Sequence, residues 1–98
     1  MILVTGTVVA KPGSEDEVAR LAVEHCRRSR AEPGCVSHAV HRDVEEPARF
    51  VFVERWESMG ALKAHFAVPE SGETVRALGA LAAERPAMTI YQADEVRP

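Results

Sequence analysis

From Arg49 to Glu57 the chain alternates, with Phe50, Phe52, Glu54 and Trp56 on one side of an extended backbone and Val51, Val53, Arg55 and Glu57 on the other. That two-residue period predicts a strand. It also gathers three of the five aromatic residues on one face. At Ser58, a favourable N-cap residue, the period changes to that of a helix with Met59, Leu62 and Phe66 on one stripe and His65 beside it. Strand and helix are joined with almost no loop, so the aromatic face and the imidazole can close on one apolar hollow with a titratable group at its rim.

The rest of the chain carries the same two periods. Ile2 to Ala10 reads as a strand with Ile2, Val4 and Val8 on its even face and Leu3, Thr5, Thr7 and Val9 on the other. Lys11-Pro12-Gly13 is a turn, and Ser14 with Glu17 has the spacing of a capping box that opens a helix. Val18, Leu21, Ala22, His25 and Ser29 fall on one face of that helix, and Arg27, Arg28 and Arg30 crowd its last turns, where cations suit the helix dipole. Glu32-Pro33-Gly34 ends it. Cys35 to Asp43 is a second strand whose even face holds Val36, His38 and Val40, and Glu45-Glu46-Pro47 turns it into the aromatic strand. After Pro69 a third helical stretch sets Val75, Leu78 and Ala82 on one stripe until Pro86, and Met88 to Ala93 is the last strand. The order predicts an α+β, ferredoxin-like βαββαβ domain over residues 1–98, a four-stranded antiparallel sheet with its helices on one face. Val51, Val53 and Val9 make the opposite face apolar too, so a second sheet is expected to cover it.

Composition narrows the partners. Ninety-eight residues make one domain with little core to spare, and a net charge of -3 with ten Arg and two Lys forms no basic stripe, so neither nucleic acid nor a membrane surface is expected as a partner. The first strand begins at Ile2, which leaves no room for a signal peptide, and no apolar run approaches a membrane span; a cytoplasmic protein is expected. Cys26 and Cys35 are then expected to be reduced. His38 and His41 lie three apart on a strand and point to opposite faces, and the adjacent His25 and Cys26 do not converge, so no metal site is expected.

The segments VxAKPG (Val8 to Gly13), AEPGCVSHAVHRD (Ala31 to Asp43), FVFVERWES (Phe50 to Ser58) and ALKAHF (Ala61 to Phe66) together resemble the antibiotic biosynthesis monooxygenase family. The resemblance covers nearly the whole chain. It implies a dimeric α+β barrel, a homodimer whose two sheets face each other, with a cavity in each subunit between sheet and helices. It also implies oxidation of a quinol, anthrone or similar polyphenol by molecular oxygen with no metal, haem or flavin. A deprotonated phenol can pass an electron to oxygen directly, so the protein need supply only a base, hydrogen bonds and a dry pocket. A non-catalytic ligand-binding or stress-associated barrel is the alternative.

By the same resemblance Trp56 matches the family's strand tryptophan, His65 its helix histidine and Glu54 the acidic residue two before the tryptophan. His65 and Trp56 are the candidate catalytic residues, His65 because a neutral imidazole can take a phenol's proton reversibly near pH 7. Candidate substrate-binding residues are His38, Phe50, Phe52 and Arg76, the last as a donor to a phenolate. The sequence departs from the family at His38, where many relatives have tyrosine, and at Glu70, which follows Pro69 where many have a second histidine. The asparagine of the haem-degrading branch has no counterpart.

Overall fold

The computed structural model describes residues 1–98. Its elements run β1 (Ile2–Val9), α1 (Glu15–Ser29), β2 (Cys35–Arg42), β3 (Arg49–Trp56), α2 (Met59–Ala67), α3 (Pro69–Leu81) and β4 (Ala87–Gln92). The strands form one antiparallel sheet in the order β2-β3-β1-β4, the ferredoxin-like arrangement expected from the sequence. No helix is long and apolar enough to cross a membrane.

Register decides what the helices cover. Across the sheet's buried face Trp56 stands opposite Ile2 and Cys35, Glu54 opposite Val4 and His38, Phe52 opposite Gly6 and Val40, and Phe50 opposite Val8 and Arg42. Two apolar clusters result. Phe50 and Phe52 pack with Val8, Val18, Ala22, Cys26 and Leu78, while Trp56 packs with Ile2, Val4 and Leu62. The row holding Glu54 and His38 lies between them, a polar seam through the middle of the core. The other face, with Leu3, Thr5, Thr7, Val51 and Val53, is half-buried and covered by no element of the chain.

Local chemistry explains where the chain departs from its sequence pattern. Ser58 has the extended backbone of an N-cap and its hydroxyl accepts from the Ala61 amide at 3.1 Å. Ser14 does not: its ψ of 2° turns the side chain away, no capping box forms, and Glu17 pairs with Arg20 instead. In β2 a bulge lies between Cys35 and Ser37, so Val36 is squeezed out to solvent while Cys35 and His38 both face inward. The short helices are also rotated from the expected stripes. α2 buries Leu62 and His65 and leaves Met59 and Phe66 exposed, and α3 buries Ser71, Thr74 and Leu78 and leaves Val75 exposed.

Gly34 fixes the approach of α2 to the turn before β2. Its φ of +79° suits glycine, and a Cβ there would lie 2.5 Å from that of Ala61. The missing side chain lets the turn press against α2, which brings Glu32 onto His65.

Candidate functional site

A cavity of about 210 Å³ opens between the sheet and α3. Its floor is Gly6 and Phe52, its roof Thr74 and Leu78, and its mouth the exposed Val75 and Met88. Gly6 explains why the space exists. It occupies the row position between Phe52 and Met88, and a Cβ added there would meet nothing closer than 3.6 Å, so a larger side chain would grow into the cavity. The ionisable groups in the lining are His25 of α1 and Glu54 of β3.

Behind these two the polar seam holds a cluster. His25, His38 and His65, from α1, β2 and α2, are 7%, 1% and 3% exposed, and each brings one ring nitrogen within 4.8 Å of the others. The expectation that no histidines converge is therefore corrected. It compared residues close in sequence, whereas the fold assembles three that lie 13 and 27 positions apart.

Each ring is held by its Nδ1. That of His65 donates to Glu32 Oε1 at 2.8 Å, that of His38 lies 3.2 Å from Cys26 Sγ, and that of His25 accepts from Arg28 Nη2 at 3.1 Å. Arg28 Nη2 also donates to Thr74 Oγ1 and the Glu70 carbonyl, which ties α1 to the cavity roof. Glu54 Oε1 accepts from Trp56 Nε1 at 3.0 Å and lies 3.2 Å from His38 Nε2. That nitrogen is buried and not aligned as a hydrogen bond to any group.

The surroundings set the charges. Burial, then repulsion by His38, His65 and Arg28, pushes the pKa of His25 down to about 4, so this ring is neutral at pH 7. Burial works to raise the pKa of Glu54, but the pull of His38 and the Trp56 hydrogen bond outweigh it, and the carboxyl stays below its ordinary range and ionised. Burial raises the Cys26 thiol to about 11, so it stays protonated; both cysteines are free.

Among the residues singled out in the sequence, Phe52 lines the cavity and His38 stands directly behind Glu54. Trp56 is fully buried away from the lining, and its only donor is spent on Glu54. His65 stands behind the wall too, and faces a second, surface cleft with Glu32, Gly34 and Glu57. Phe50 lies at the other end of the core beneath the guanidinium of Arg42, 4.6 Å above its ring. Arg76 is exposed and turned back along α3 toward Gly72, outside the lining. His25 is the ionisable lining residue to which the sequence assigned no role, although its place on the Val18 and Ala22 face of α1 carried the signal.

The sequence profile of the antibiotic biosynthesis monooxygenases matches residues 1–77. Among solved structures, one from Deinococcus radiodurans classed with these monooxygenases is 28% identical, with a TM-score of 0.94 over 100% of this chain and 97% of that one. One from Caulobacter crescentus, so classed as well, is 25% identical with a TM-score of 0.88 over 96% of this chain and 90% of that one. An uncharacterized protein of Synechocystis is 33% identical over 98% of this chain, which spans 65% of that relative's length.

Proposed function

The chain belongs to the antibiotic biosynthesis monooxygenase family, and from that premise we propose that it oxidises a small phenol or quinol with molecular oxygen, using neither metal nor flavin. The observation that carries this reading is the cavity itself, an apolar space whose wall holds one ionised carboxylate backed by buried imidazoles. Its volume of about 210 Å³ lies below the roughly 300–1,000 Å³ of pockets for drug-sized ligands. A single aromatic ring suits it better than a three-ring anthrone.

In this reading Glu54 accepts the hydrogen bond of the substrate hydroxyl and relays its proton to His38, 3.2 Å behind, which passes it into the cluster. His65 is the inner acceptor. Its Nδ1–H is held on Glu32, which leaves Nε2 with a free lone pair and opens an exit toward the surface cleft. His25 has its Nδ1 occupied by Arg28, so its neutral ring carries the proton on Nε2 and donates to the phenolate oxygen. The phenolate then passes one electron to oxygen, the radical and superoxide combine at a ring carbon, and loss of water leaves the quinone. Phe52 supplies the apolar wall that keeps water out, and Trp56 holds Glu54 in place.

Oxygen uptake with a panel of quinols and anthrones, run in chelator, tests the reading. Uptake with single-ring quinols that falls roughly 10²-fold in Glu54→Gln and in His65→Ala is expected. No uptake with any of them would leave a ligand-binding barrel. The uncovered face at Val51, Val53 and Val9 supports a homodimer, and sedimentation at micromolar concentration should then give twice the chain mass; a stable monomer would refute it.

A further inference from the structure

The polar seam has a second chemistry besides moving protons. We propose that His25, His38 and His65 bind a first-row divalent cation of the zinc, cobalt, nickel or copper type, and that an ion held there blocks the proton path by taking up the same nitrogens. The donors are already gathered, since one nitrogen from each of three buried rings lies within 4.8 Å of the others. Two nitrogens on one tetrahedral ion stand roughly 3.4 Å apart, so small side-chain rotations close the set. With each Nδ1 facing another group, the nitrogen left to every ring is Nε2. That of His38 is buried without an aligned partner.

The surroundings suit a dication in two further ways. Behind His65, Glu32 accepts the Nδ1–H, the carboxylate–histidine pairing that orients a metal-binding imidazole and strengthens it as a ligand. Two carboxylates flank the cluster, Glu54 on the cavity side and Glu32 on the other, and Glu32 Oε2 is buried without a hydrogen bond. Together they balance a double positive charge that the core could not otherwise hold. Imidazole donors select these ions over magnesium and calcium, and three protein ligands leave a fourth position, which Glu54 or a molecule in the cavity can fill.

One group opposes binding. Arg28 donates to His25 Nδ1, whereas a His25 that ligates through Nε2 must carry its proton on Nδ1. Loading therefore requires Arg28 to release His25 and keep its other two partners, Thr74 Oγ1 and the Glu70 carbonyl. This makes the affinity adjustable: Arg28→Gln removes the competing donor and the positive charge and offers an oxygen to accept the Nδ1–H.

The test titrates the full chain, stripped with chelator and dialysed, with Zn²⁺ by calorimetry and with Co²⁺ by visible absorption, with folding of each variant checked by circular dichroism. One ion per chain is expected, with a tetrahedral-type Co²⁺ band. Binding should fall at least tenfold in His38→Asn and in His65→Asn, tighten in Arg28→Gln and stay unchanged in His41→Ala, whose side chain is exposed on β2. If His38→Asn does not fold, His65→Asn and Arg28→Gln still decide. Absence of binding, equal binding in the His65 variant, or loss in the His41 variant would overturn the proposal. Stoichiometry and spectrum do not depend on turnover: missing oxygen uptake leaves the metal site standing, and missing metal leaves the oxygenation reading standing.

Discussion

Acid should unfold this protein through His25 before it touches the carboxylates. With a folded pKa of about 4 against an ordinary 6.5, the buried ring binds fewer protons than the unfolded chain does throughout that interval. Stability rises with pH wherever the unfolded state holds more protons, so this contribution is complete above about pH 6.5 and is lost as pH falls toward 4. Moving from pH 7 to pH 5 then costs roughly 2 kcal/mol from this one group, on the order of a 1 M shift in a urea midpoint. Glu54 does not confuse the window. Its folded pKa is depressed, so its contribution persists until pH drops below the ordinary carboxyl range. The control is His25→Asn, whose side-chain oxygen can still accept from Arg28 but does not titrate. Urea unfolding of both proteins at pH 7 and pH 5, in chelator and at one protein concentration, should show the variant losing about 2 kcal/mol less than the parent. His38, His41 and His65 are common to both, so the difference reports His25 together with its coupling to the neighbouring rings. An equal loss in the two proteins would refute the argument.

Two further substitutions test the architecture. Gly6→Leu should fold, because its Cβ meets only ordinary contacts, yet fill the cavity and abolish oxygen uptake; unchanged turnover would place the chemistry elsewhere. Gly34→Ala should destabilise by more than Gly13→Ala, since both have positive φ but only Gly34 meets a neighbouring Cβ, and each should cost about 1 kcal/mol or more in urea unfolding. Equal losses would mean that the turn does not press on α2.

Much of the fold was legible because strand parity is a strict rule. The alternation in β1 and β3 put Phe50, Phe52, Glu54 and Trp56 on one buried face, and the structure has them there. Two kinds of feature escaped it. The bulge at Val36 is invisible because valine is as good a strand residue as its neighbours, and the short helices offered too few apolar residues to fix their rotation. The histidine cluster escaped for a different reason. Its members are joined by register and by the close approach of α2 to the turn at Gly34, and neither is written in the spacing of residues 25, 38 and 65. Glu54 was legible in position, and a carboxylate among aromatics is expected to be paired, as it is; its partners, Trp56 Nε1 and His38, are set by register and not by spacing.

The bulge in β2 also bears on how the chain can change in length. Cys35 pairs with Trp56, Ser37 with Arg55 and His38 with Glu54, so Val36 alone has no counterpart on β3. Its removal would leave every other pairing intact and turn an irregular ladder into a regular one. A deletion at Ala39, by contrast, would flip the rest of the strand and send Val40 to solvent. Urea unfolding of the two deletions would tell them apart, and a Val36 deletion as damaging as that of Ala39 would contradict this pairing. Residue 36 is thus the place in β2 where a codon can be lost with every remaining cross-strand pair kept, that of the imidazole two positions later with its carboxylate included.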